Sequence, residues 1–173
     1  RNMSDDMLRA IKLNGGAVMV NFYSAFIDED FRKAYAALKK ERDAAEDVLK
    51  AKLADADDVT FYREMNESQK EFAARVPRPP LKSLIEHIDH IAKVAGVDHV
   101  GLGSDFDGVD SLPQGIDSAA DLPKITAALA ERGYNREQIH KILGGNFMRV
   151  FREVERVSRE IKTEQAPRTG TKK

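Results

Sequence analysis

The chain has no cysteine, which excludes disulfides and thiolate metal sites and leaves the redox state of its compartment open. It has no long apolar run: nothing approaches the roughly 20 residues of a membrane span, and no apolar tail follows the last helical stretch as a lipid-anchor signal. It has no charge of one sign in excess. Lys and Arg number 28 against 29 Asp and Glu, and a net charge of −1 gives no pull toward nucleic acid or an anionic membrane. It also lacks an ordinary start, because Arg1-Asn2-Met3-Ser4 reads as the middle of a protein; signal-peptide rules do not apply and the compartment is unassigned.

What is present suits one domain: 173 residues, 42% hydrophobic and 33% charged. Ser4 can cap a helix running to Asn14, with Asp5 and Asp6 in its first turn and Met7, Leu8, Ile11 and Leu13 along one face. Asn14-Gly15-Gly16 ends it, and Ala17 to Tyr23 is a nearly continuous apolar run of the kind buried on both faces of a parallel sheet. From Asp28 to about Arg75 the chain is charged and helical, with thin apolar cover, and residues 28–76 read as a helical insertion. Pro77-Arg78-Pro79-Pro80 stops it. The next helix, Leu81 to Ala95, puts Leu84, Ile85, Ile88 and Ile91 on one apolar face.

The organising stretch follows at once. His99-Val100-Gly101-Leu102-Gly103-Ser104-Asp105-Phe106-Asp107-Gly108 reads as a buried strand that ends in small residues and delivers two carboxylates before a long loop. Gly101 and Gly103 permit close approach of backbone or ligand, and Gly108 is read as the positive-φ residue of a sharp turn. In α/β proteins a carboxylate at the C-terminal end of a strand is where catalytic groups sit. Other patterns fit less well: a calcium loop needs its glycine two residues later, and a dinucleotide fingerprint would need glycine where Phe106 stands. A turn in which Asp105 or Asp107 caps backbone amides is the plainer alternative.

His87 and His90 lie three residues apart on a helix beside Asp89, a spacing able to chelate a metal, yet they flank the apolar face, nothing acidic completes a HExxH-type pattern, and a structural role is favoured. His140 reads as surface. Beyond the loop, helices are expected at Leu122–Glu131, Arg136–Leu143 and Phe147–Ile161. Phe147, Val150, Phe151 and Val154 should pack on the fold, and residues 163–173 should be a disordered tail. Two buried strands joined by a helical crossover must be parallel, and parallel strands need neighbours. A closed (β/α) barrel takes at least about 200 residues, so residues 1–162 read as the C-terminal part of a larger sheet or barrel whose other strands precede Arg1.

Four blocks carry a resemblance: Gly16-Ala17-Val18-Met19-Val20-Asn21-Phe22-Tyr23, Glu86-His87-Ile88-Asp89-His90-Ile91, Val100 to Gly108, and Gly144-Gly145-Asn146-Phe147-Met148-Arg149-Val150-Phe151. Their order and spacing resemble the membrane (renal) dipeptidase family, from Arg1 to about Val157. The resemblance implies an α/β fold, the C-terminal portion of a (β/α)8 TIM-type barrel, and hydrolysis of dipeptides by a water activated between two zinc ions. Asp105 matches the family's final-strand aspartate, which holds the substrate's free amino group or assists proton transfer to the leaving amine. Arg1 matches the arginine that pairs with the substrate carboxylate.

The family's metal ligands belong to strands before Arg1, so no residue of this chain is assigned as a metal ligand, and the chain alone is expected neither to bind the zinc pair nor to hydrolyse peptides. The expected partners are a dipeptide, the missing N-terminal half as a separate chain, and a second copy in a homodimer. Two other readings stay open: a non-catalytic barrel remnant or helical binding scaffold, and another amidohydrolase-type enzyme such as a deaminase.

Overall fold

Two parallel strands, β1 (Val18–Asn21) and β2 (Val100–Ser104), lie side by side within a mainly helical α/β fold. The computed structural model of the protein describes residues 2–165. Ahead of β1, α1 (Asp5–Leu13) starts where the Ser4 hydroxyl accepts the Met7 N–H at 3.3 Å, with Asp5 and Asp6 at its positive end and Lys12 at its negative end. β1 runs into the single turn α2 (Ser24–Ile27). The insertion then forms as α3 (Glu29–Ala37), α4 (Lys39–Lys52) and α5 (Asp58–Ala73). Asp28 caps α3 through the Phe31 N–H at 2.9 Å, and Asp57 caps α5 through the Thr60 N–H at 3.0 Å. A small core of Phe31, Tyr35, Ala73 and Val76 lies beneath the insertion, whereas α4 buries no residue, in line with its charged sequence.

The crossover closes with α6 (Leu81–Val94), which begins just past Pro80 and buries Leu84, Ile85, Ile88 and Ile91 as the pattern predicts. Each such side chain contributes about 1.5–3 kcal/mol on burial. They meet Leu8, Val20, Phe22, Val100, Ile125, Leu129 and Ile142 in the main core. α7 (Leu122–Glu131) and α8 (Arg136–His140) follow the long loop, and a wider turn over Lys141–Gly145 leads into α9 (Asn146–Gln165).

The strands pair Val18 with Val100, Met19 with Gly101 and Val20 with Leu102, and then Asn21 with Ser104. Gly103 is the extra residue, so the register slips by one at the C-terminal end of the sheet. A Cβ on Gly103 would stand 2.9 Å from the Met19 carbonyl oxygen and 3.0 Å from that of Val20, so the strands approach this closely only because the residue is glycine.

Three expectations are corrected. Phe147, Phe151 and Val154 are 49%, 48% and 62% exposed, because no described element faces them. α9 is tethered instead by buried Asn146, whose amide donates to the carbonyls of Val97 at 2.7 Å and Val100 at 2.8 Å. β1 is only partly buried, since the described sheet has two strands and its outer edges are open. The helix of the last segment continues to Gln165, past the expected start of the tail at 163; the rest of that tail lies outside the described residues. No described helix is long and apolar enough to cross a membrane.

Candidate active site

Because the strands are parallel, both deliver their next residues to the same rim. Ser104 and Asp105 turn the chain there with φ of 51° and 85°, a left-handed conformation that non-glycine residues rarely adopt and that aspartate tolerates better than most. The bulge at Gly103 and these two residues together aim the Asp105 carboxylate at β1. Its Oδ2 accepts the Asn21 side-chain amide at 2.7 Å. The other end of the same side chain, Asn21 Oδ1, accepts the Tyr23 N–H at 2.7 Å, which fixes the amide's orientation. Asp105 is exposed, so one carboxylate oxygen is held while the group still faces solvent.

Gly108 has a different part from the one its sequence position suggests. It is not among the positive-φ residues; a Cβ there would stand 2.2 Å from Asp105 Oδ1. The glycine leaves space for the carboxylate, and its N–H closes the turn on the Asp105 carbonyl at 3.2 Å. The carboxylate itself is turned toward Asn21, not spent on the turn's amides. Asp107 is exposed.

The loop beyond is pinned at several points. Phe106 meets Phe22 edge-on, with ring centroids 5.8 Å apart. Buried Ser111 donates its hydroxyl to that of buried Ser24 at 2.9 Å and accepts the Ser24 N–H at 3.0 Å. Arg78, from the proline-rich stop, donates to the carbonyls of Leu112 at 2.6 Å and Pro113 at 2.5 Å and pairs with Asp117 at 2.7 Å. At the loop's end the Lys124 ammonium, with the N–H groups of Asp117 and Ser118, holds the Asp121 carboxyl at about 2.

A second polar group sits behind the rim. The Tyr35 hydroxyl of α3 donates to Asp110 Oδ2, and the Arg42 guanidinium of α4 stacks 4.0 Å from the Tyr35 ring centroid. Burial, followed by the nearby Asp110 charge, pushes the Tyr23 phenol up to about 12; burial and the Asp110 hydrogen bond also raise that of Tyr35. Asp110 Oδ1 and Arg42 Nε are buried with no hydrogen-bond partner among the described residues.

The histidines are engaged elsewhere. His87 Nε2 lies 3.1 Å from the Ile27 carbonyl and His90 Nε2 lies 2.8 Å from Asp5, while His140 is exposed. Among the described residues no three His, Asp or Glu side chains are grouped to hold a metal ion. Arg1, expected to meet a substrate carboxylate, lies outside the described residues. The structure brings Asn21 to Asp105, a partner the sequence reading did not single out. Its signal was an amide inside an otherwise apolar run.

Comparison with known proteins finds dipeptidases among the relatives of this chain. The chain is 33% identical over 168 residues to an uncharacterized dipeptidase of Schizosaccharomyces pombe, covering 96% of this chain and 30% of that protein. It is 42% identical over 78 residues to the dipeptidase tcpJ of Claviceps purpurea, covering 45% of this chain and 18% of that protein. Among solved structures it resembles the probable dipeptidase PvdM of Pseudomonas aeruginosa, with a TM-score of 0.62 and 27% identity over 86% of this chain and 40% of that one. A Rhodobacter sphaeroides metallopeptidase, solved with a phosphinate mimic of the dipeptide L-Ala-D-Ala, gives a TM-score of 0.55 and 26% identity over 85% of this chain and 30% of that one. The chain thus spans less than half the length of these relatives. With residues 1–165 matching the membrane dipeptidase profile, the chain belongs to the membrane dipeptidase family, peptidase family M19.

Proposed function

We propose that this chain is the substrate-amine-binding, C-terminal portion of a metallodipeptidase. The observation that carries the reading is the Asn21–Asp105 pair at the C-terminal rim of parallel strands. A dipeptide differs from a longer peptide in presenting its free ammonium one residue from the scissile bond. An exposed carboxylate with one oxygen fixed by an amide, on a backbone held in a left-handed turn, is a preorganised anchor for that ammonium. As the bond breaks, the same carboxylate is placed to steady or pass a proton to the leaving amine. Arg1 is assigned to the substrate carboxylate on the resemblance, a task that suits its planar, bidentate cation.

The (β/α)8 barrel is part of the same proposal. The open edge of β1 borders a groove lined by Leu8, Val20, Asn21, Phe26, His87 and Ile91, and that free edge supports the reading that a further strand pairs there. The zinc pair implied by the family finds no ligand set among the described residues, so it is assigned to the polypeptide that completes the barrel, and no step is drawn through it here. By itself the chain is accordingly proposed to be inactive, and the partner it needs is the N-terminal portion, in cis or as a separate chain. A homodimer of the completed enzyme is proposed as well. The L-Ala-D-Ala mimic bound by the Rhodobacter relative makes alanyl dipeptides the first substrates to try.

Native mass spectrometry tests the assembly. A complex holding an N-terminal polypeptide and about two zinc ions is the expected result. A lone, metal-free chain that stays inactive and metal-free when mixed with the N-terminal portion of a relative would overturn it, in favour of a non-catalytic barrel remnant.

A further inference from the structure

We infer that Asp110 is a positioning residue, which ties the helical insertion to the rim so that the segment from Asp105 to Asp110 holds one conformation. This rests on the reading of Asp105 as the ammonium anchor.

The segment is short and tethered at both ends. At its start, Asn21 holds the Asp105 side chain; at its finish, Tyr35 of α3 donates to Asp110, and the next residue, Ser111, is bonded twice to Ser24. Between these ties lie Phe106 on Phe22 and the turn that Gly108 closes. Tyr35 is itself fixed: it is 4% exposed, packs on Phe31 with centroids 5.7 Å apart, and lies under Arg42. Tyr35 and Arg42 come from the insertion, and Tyr23 follows the strand that bears Asn21. Through Asp110, then, three parts of the chain far apart in sequence converge on the loop that carries Asp105.

Asp110 is also a costly group to keep for packing alone. Among the described residues one of its carboxylate oxygens is buried without a hydrogen-bond partner, as is Arg42 Nε, and an apolar side chain would avoid that penalty. What a carboxylate adds is a directional acceptor for the Tyr35 hydroxyl. This also gives the insertion a task beyond bulk: its small core of Phe31, Tyr35, Ala73 and Val76 is the platform on which the latch is mounted.

The test uses the 173-residue chain in three forms, wild type, Asp110→Asn and Tyr35→Phe, with amide exchange and the Asn21 side-chain NH2 signals followed by NMR. The Gly108 amide reports the turn, and the Asn21 amide reports the Asp105 contact. The expected result is exchange at Gly108 faster by about tenfold or more in both variants, together with shifted or broadened Asn21 signals, while the α6 amides are unchanged. Tyr35→Phe keeps the ring in its core, so it serves even where Asp110→Asn fails to fold. Unchanged Gly108 and Asn21 signals in a folded Tyr35→Phe chain would overturn the inference. No dipeptide is involved, so this result stands apart from whether Asp105 binds an ammonium.

Discussion

Asn21 and Asp105, 84 positions apart in sequence, are joined across the sheet by a 2.7 Å hydrogen bond in which the amide donates to the carboxylate. The same amide accepts the Tyr23 N–H, so it can neither flip nor swing without losing a bond at one end. Asn21→Ala is therefore expected to lower stability by about 1 kcal/mol through the orphaned Tyr23 N–H, read as a lower urea midpoint. In an assembled dipeptidase it should lower kcat by up to about 100-fold, since a misplaced polar group is that expensive. Unchanged stability and turnover together would show that the pair holds nothing in place.

Gly103 and Gly108 should respond differently to alanine. At Gly103 the added Cβ meets two backbone carbonyls that cannot move without parting the strands. A loss of about 1–3 kcal/mol is expected, the usual cost of overpacking. At Gly108 the added Cβ meets the end of an exposed side chain, so the chain should stay folded while Asp105 is pushed off Asn21. Urea titration with NMR of the Asn21 amide separates the two outcomes.

Arg78 fastens the middle of the long loop through a planar guanidinium fork, a geometry that the compact ammonium of lysine does not offer. Arg78→Lys is expected to cost about 1.5–3 kcal/mol, the range for hydrogen bonds to charged groups. The effect should appear as protease sensitivity between Leu112 and Asp117; equal sensitivity in both forms would contradict the anchor.

The Asp121 carboxyl, held at about 2 by Lys124 and two backbone N–H groups, makes the loop's end acid-sensitive. A depressed folded-state value means that its stabilising effect is complete above the ordinary carboxylate value of about 4 and is lost as pH falls toward 2. Asp121→Asn should flatten that part of the stability profile, measured by circular dichroism between pH 5 and 2, and leave the profile above pH 5 parallel to wild type.

How far the sequence reveals the fold depends on how local each cause is. The α6 face is legible because Leu84, Ile85, Ile88 and Ile91 repeat with the helix period, and both strands are legible as short apolar runs that follow glycine-bearing stops. Asp105 is legible as the residue where such a run ends. Its left-handed backbone, the bulge at Gly103 and the partnership with Asn21 are tertiary, fixed only when two strands far apart in sequence are paired. The meeting of Tyr23, Tyr35, Arg42 and Asp110 leaves no periodic trace for the same reason. On α9 the pattern was read correctly as a helical face, but a face records that a surface is apolar, not what lies against it.

The central claim is that Asp105 holds the amino end of a dipeptide, and turnover by Asp105→Asn in the assembled enzyme tests it most directly. With zinc content measured on the same sample, the account predicts that the metal is retained while kcat/KM for an alanyl dipeptide falls by about 100-fold or more, as the substrate ammonium loses its charged partner. Turnover near the wild-type level with zinc retained would contradict it, and the anchor for the ammonium would have to lie elsewhere.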